Sequence, residues 1–185
     1  MRRIILIIAS LIASATALSG QRFALSTNIP DYAMLGTINV KGEMAFSRHW
    51  SVGTAARYNP WTWHGGDMEK QMQNRQITLS GSARYWNWNT YAGWWLEGGL
   101  QYQQYSRGGV VSRDTEEGDA IGARIGLGYT ALLSRHWNLE MGAAGWLGRT
   151  AFTLYDCPMC GQTSDAGEKW FALPDELLLG LVYVF

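Results

Sequence analysis

Arg75-Gln76-Ile77-Thr78-Leu79-Ser80-Gly81-Ser82-Ala83-Arg84-Tyr85-Trp86 alternates along its length. Ile77, Leu79, Gly81, Ala83 and Tyr85 fall on one face of an extended chain. Gln76, Thr78, Ser80, Ser82 and Arg84 fall on the other. Period two marks a strand with one apolar and one polar face. The pattern recurs at about residues 22–29, 37–46, 50–59, 93–104, 120–132, 137–149 and 175–185. Together these segments predict an all-β chain of eight strands. Aromatic residues collect near the ends of the apolar faces, as in the interfacial girdles of a membrane-spanning barrel rather than the interior of a sandwich.

The connections carry the same message. Three are tight: Ser47-Arg48-His49, Asn87 to Ala92, and Leu133 to His136. Those between them are mostly longer: Pro60 to Asn74, Tyr105 to Asp119, and Thr150 to Pro174. Short turns on one side and long loops on the other are the habit of outer-membrane strands. The end, Gly180-x-x-Tyr183-x-Phe185, looks like the signal read by the barrel-assembly machinery, with Leu178 where a polar residue is expected. The expected fold class is therefore all-β, a closed eight-stranded antiparallel transmembrane β-barrel, with Phe46, Trp50, Trp137 and Phe185 in the periplasmic girdle.

The first twenty residues stand apart. Met1-Arg2-Arg3 is basic, Ile4 to Ile12 is apolar but for Ser10, and small residues follow. That order predicts a secretory signal peptide over 1–20, with the barrel over 21–185. The apolar run falls short of the ~20 residues a spanning helix needs. Cleavage sites are available after Ala17, Ser19 and Gly20. Two of the 15 Lys+Arg lie in this leader, leaving 13 against 15 Asp+Glu in the remainder. A slightly acidic chain without a basic stripe argues against a nucleic-acid binder. Ten Trp and nine Tyr are many for 185 residues and suit interfacial anchoring.

The polar faces carry Glu43, Arg57, Arg84, Glu97, Arg124 and Glu140, one per strand from the second to the seventh. Lys41 shares a face with Glu43 and is expected nearer the outer rim. An eight-stranded barrel is just wide enough to be filled by its own side chains. Three acids facing three bases therefore predict a salt-bridged plug in preference to a gated pore. Ser47-Arg48-His49-Trp50 recurs as Ser134-Arg135-His136-Trp137, the same turn chemistry used twice.

Cys157-Pro158-Met159-Cys160 holds both cysteines, in the longest loop. Such a pair serves as a redox site, half a zinc site or a local disulfide. Four zinc ligands are not at hand, and Pro158 and Gly161 suggest a turn rather than a helix start. In a secreted chain the disulfide is the expectation. No metal, cofactor or catalytic constellation is expected. His64, with Asp67 and with Ser106 or Ser112, is the nearest approach to one, and its spacing is unspecific.

Leu25-Ser26-Thr27-Asn28, Phe46-Ser47-Arg48-His49-Trp50-Ser51-Val52, Tyr58-Asn59-Pro60-Trp61-Thr62 and Cys157-x-x-Cys160-Gly161 together resemble domain-of-unknown-function family 3575. Arg84-Tyr85-Trp86 and Ser134-Arg135-His136-Trp137-Asn138-Leu139-Glu140 extend the resemblance over nearly the whole chain after the leader. It implies a small outer-membrane barrel of Gram-negative bacteria, similar to the transmembrane domain of outer-membrane protein A. It brings no catalytic residue.

Trp61, Trp63, Tyr155, Trp170 and Phe171 are expected in outer loops, where exposed aromatics suggest a contact surface. The functional expectation is a monomeric structural or adhesion- and assembly-accessory protein that binds a partner through those loops. Outer-membrane lipid and lipopolysaccharide would surround it, and the acidic stretch Asp114 to Asp119 is a candidate for divalent cations bridging lipopolysaccharide or a solvated loop tip. A lipid-modifying enzyme using His64 and a narrow pore are the alternatives.

Overall fold

The computed structural model describes residues 22–65, 71–109, 114–156 and 163–185. The expected leader, Cys157 and Cys160 lie outside the described residues. The chain forms β1 (Phe23–Asn28), α1 (Ile29–Ala33), β2 (Ile38–Ala45), β3 (Trp50–Asn59), β4 (Thr62–Trp63), β5 (Met72–Trp86), β6 (Gly93–Gly108), β7 (Thr115–Leu132), β8 (Trp137–Tyr155) and β9 (Thr163–Val184). All pairings are antiparallel. Neighbours run β3-β2-β1-β9-β8-β7-β6-β5, and β3 pairs back onto β5. Hydrogen bonds therefore pass round a ring of eight strands, with β4 a short addition on β5.

Alternation decides which side chains face into the ring. On β5, Thr78, Arg84 and Trp86 are buried, whereas Ile77, Leu79 and Tyr85 are exposed. On β6, Trp95, Glu97, Gln101 and Gln103 are buried, while Trp94, Leu96, Leu100 and Tyr102 are exposed. The polar faces are thus inside and the apolar faces outside, opposite to a water-soluble fold.

The eight segments read from the sequence are all strands, but the later ones are longer than alternation suggested. β6 continues to Gly108, β7 begins at Thr115, β8 reaches Tyr155 and β9 begins at Thr163. Pairing continues there between polar residues, such as Ser106 with Glu117, where an apolar period no longer reports it. The region expected as the long loops is therefore largely tall, paired sheet.

The β1–β2 side is low. Pro30 stands in the first turn of α1, where its fixed φ suits a helix start. Beneath it, two asparagines close the ladder with their side chains. Asn28 N–H donates to Asn39 Oδ1 at 2.6 Å, and Asn39 Nδ2 donates to the Asn28 carbonyl at 2.8 Å. Asn28 also serves β9, donating from Nδ2 to the Leu177 carbonyl at 3.1 Å and accepting from Leu179 N–H at 2.9 Å.

At the turn end, the two Ser-Arg-His-Trp copies build the same latch. His49 Nδ1 donates to the Trp86 carbonyl at 2.9 Å, and His136 Nδ1 donates to the Val184 carbonyl at 2.8 Å. Each ring stacks on the tyrosine of the adjoining strand, at 6.2 Å for His49–Tyr85 and 5.7 Å for His136–Tyr183. The following tryptophans meet the same tyrosines edge-on, at 5.3 and 5.0 Å. Identical tetrapeptides thus tie two tight turns to the strands beside them.

Candidate functional site

The six ionisable residues expected inside the ring are all there, but the network is larger. Arg84 reaches three carboxylates: Glu97 at 2.5 Å, Glu43 at 3.2 Å, and Glu140 in a close contact. Arg124 contacts Glu97 at 3.4 Å, Asp175 at 3.2 Å, and Glu176. Arg57 forms a two-pronged pair with Asp175 at 2.8 and 3.0 Å. Planar guanidinium groups suit such multiple contacts.

Lys41 does not sit at the rim. Its Nζ lies 2.5 Å from Glu97, because a four-carbon stem carries the ammonium down into the interior. Asp175 and Glu176 were missed for a different reason. The register of β9 slips between Ala144 and Gly145 of β8, which pair with Glu176 and Pro174 respectively. Asp175 is the extra residue of this bulge. A bulge re-aims a side chain that strict alternation would send outward, so two successive acids both serve the interior. The plug therefore holds four bases and five acids. Neutralisation at close range is what makes buried charge tolerable.

Below the charges the ring is filled by aromatics. Trp86, Tyr91 and Trp95 are buried with Ala24, Ala45, Val182 and Val184. The Arg84 guanidinium lies 3.9 Å from the centre of the Trp95 ring, a cation–π contact. Trp86 Nε1 donates to Ser51 Oγ at 2.8 Å, and Ser51 donates to Glu43 at 2.5 Å. Tyr91 enters from the β5–β6 turn with φ of 68°. Its hydroxyl reaches the Arg22 carbonyl at 2.9 Å, and Asn138 Nδ2 donates to its carbonyl at 3.0 Å. Burial pushes its hydroxyl well above the ordinary tyrosine range, and the nearby Glu43 adds to the shift. Adjacent residues of a strand face opposite ways, so Trp94-Trp95 had to place one indole inside.

Asp31 of α1 is a buried acid whose charge is only partly compensated, by Arg57 and by a hydrogen bond with the Asn28 side chain. Its Oδ2 has no hydrogen-bond partner among the described residues. Burial first, and then the charge of Glu176, push its carboxyl up to about 6, against the opposing pull of Arg57.

The aromatic residues expected as loop contacts are dispersed. Trp61 is half exposed, and its Nε1 donates to the Gly36 carbonyl at 3.2 Å. Trp63 lies in β4 and Tyr155 ends β8, so neither belongs to an irregular loop. Trp170 is 74 % exposed on β9, with the Arg149 guanidinium 5.5 Å from its ring centre. Phe171 faces the other way and packs edge-on against Trp146 at 4.6 Å. It is therefore a packing residue, not an exposed contact. His64 is exposed with φ of 55°, and Asp67 and Ser112 lie outside the described residues. Among the described residues no group of three or more His, Cys, Asp or Glu could hold a metal.

No curated protein matches the chain. One family does match, described as a protein of unknown function, DUF3575, and its model covers residues 5–185. The quoted Asn28, Ser47-Arg48-His49-Trp50 and Arg84-Tyr85-Trp86 elements fall at the ladder closure, the latch and the plug, and on this match the chain belongs to the DUF3575 family.

Proposed function

We propose that the protein is an outer-membrane β-barrel with a structural or adhesion- and assembly-accessory role, which engages a partner at its loop end. One observation carries the membrane part of this reading. An apolar belt covers the outside of the ring on β5 to β8, and within its height the charged side chains of these strands, Arg84, Glu97, Arg124 and Glu140, are buried inside. On β5 the belt runs from Ile77 to Tyr85, on β6 from Trp94 to Tyr102, on β7 from Ile121 to Tyr129, and on β8 from Trp137 to Leu147. A tilted spanning strand needs about 9–11 residues, which these lengths match. Phe46, Trp50, Tyr85, Trp94, Tyr129, Trp137 and Tyr183 ring its lower edge, where amphipathic aromatics favour a membrane interface.

The filled interior argues against conduction, since both the ionic cluster and the Trp86–Tyr91–Trp95 layer occupy the path. The tall β5–β9 sheet at the loop end supports a binding role. It displays Trp170, with Trp63 in the short β4 and Trp61 just before it. The test is mass spectrometry of species co-purifying with the tagged chain from native membranes in mild detergent. A stoichiometric protein partner, lost in a Trp61→Ala, Trp63→Ala, Trp170→Ala triple variant, is the expected result. A chain recovered from the outer-membrane fraction without a partner removes the accessory role. Recovery only from the soluble fraction removes the membrane reading.

A further inference from the structure

A recess of about 610 Å³ lies on the outer surface of the tall sheet, immediately above the apolar belt. Its position follows from register. Leu79, Tyr102 and Ile121 form the last row of the belt shared by β5, β6 and β7, with Ile77 extending it on β5 alone. The next outward-facing row is Ile77, Gln104, Asp119 and Ala151, and the one above is Arg75, Ser106, Glu117 and Thr153. Both rows line the recess, with Tyr58 at its side. The row above that holds Gln73 and Thr115, which are 6 % and 3 % exposed although they lie on the outward face.

The lining is polar, mixed in charge and held in place. Tyr102 donates to Asp119 at 2.7 Å, Ser106 to Glu117 at 2.9 Å, and Gln73 to Ser106 at 3.1 Å. Each carboxylate keeps further lone pairs for incoming hydroxyls. Arg75 is exposed and has no ion-pair or hydrogen-bond partner among the described residues. An unpaired guanidinium beside two carboxylates, an amide, hydroxyls and a tyrosine fits a ligand with one anionic group and many hydroxyls. A protein partner would favour a larger, flatter and more apolar face at its centre.

We propose that this recess binds the phosphorylated saccharide headgroup of an outer-leaflet glycolipid. The inference rests on the membrane reading above, which puts the recess at headgroup height. Arg75 pairs with the phosphate, while Glu117, Asp119 and Gln104 accept or donate hydrogen bonds to sugar hydroxyls. The acyl chains lie against Leu79, Leu100 and Ile121 in the belt below.

The full chain in nanodiscs of phosphatidylethanolamine and phosphatidylglycerol, doped with an acylated glucosamine-disaccharide monophosphate, provides the test. Native mass spectrometry counts the lipids retained. The glycolipid is expected to be retained over phosphatidylglycerol by about tenfold, the worth of one good charge-assisted contact. Arg75→Ala is expected to abolish that preference and Arg75→Lys to keep part of it. Glu117→Gln with Asp119→Asn weakens retention without touching the cation. Displacement by the deacylated disaccharide monophosphate would support the site and show that a free saccharide phosphate suffices. Sensitivity to Arg75→Ala without such displacement would support it for the membrane-held form alone. Insertion with no preference, or a preference unmoved by Arg75→Ala, overturns the headgroup site and leaves the barrel standing. Failure to insert overturns the membrane reading and the site together.

Discussion

Arg84 shows how single residues carry this interior. It is the common partner of Glu43, Glu97 and Glu140, and it lies over Trp95. Arg84→Met would leave three carboxylates facing one another, with Lys41 and Arg124 to compensate. Breaking a buried ion pair typically costs ~3–5 kcal/mol, and the loss here is expected in that range. Urea midpoints of the refolded chain measure it, and a change under about 1 kcal/mol would mean that the network is not needed for stability. Asp31 gives the pH dependence. Its carboxyl is held near 6 in the fold and titrates near 3.8 otherwise. The folded chain then binds the proton more tightly than the unfolded one. The contribution of Asp31 is therefore fully present below pH ~4 and lost as pH rises through about 6. Asp31→Asn is expected to flatten the fall in stability over that window and to raise the midpoint at pH 7. Equal pH profiles for the two proteins would contradict this account.

At the scale of elements, the latch and the bulge behave differently under mutation. His49 and His136 make equivalent hydrogen bonds in equivalent surroundings, so alanine at either is expected to cost about 1 kcal/mol. The two losses should add, because the latches sit on different strand pairs and distant sites couple weakly. A double-mutant cycle with a coupling above ~0.5 kcal/mol would refute their independence. β6 and β7 meet where glycine is obligatory. A Cβ at Gly128 would come within 2.4 Å of the Trp95 ring, so Gly128→Val is expected to displace the indole and unseat the plug. Far-ultraviolet circular dichroism should survive while the near-ultraviolet tryptophan signal falls. The latch was visible in the sequence as a repeated tetrapeptide. The bulge at Asp175 was not, because inserting one residue changes facing without changing composition.

For the whole molecule, the membrane reading sorts the tryptophans by depth. Trp50, Trp94 and Trp137 belong to one interface, Trp170 lies beyond the other side, and Trp86, Trp95 and Trp146 are sealed inside. Quenching by lipids brominated along the acyl chain should therefore spare the three interior indoles. Single-tryptophan variants reporting Trp95 as the most quenched would reverse inside and outside and sink the barrel. The sequence by itself determined the strand content, the two faces of each strand and six of the interior charges. Period two is a local property, and each residue carries its own facing with it. Only the tertiary structure decided the closure of β3 on β5, the continuation of β6 to β9 into tall polar sheet, and the partners of each charge. Arg57 and Asp175 lie 118 positions apart. Such a pair depends on register accumulated across the ring and on one bulge, and neither leaves a periodic trace in the chain.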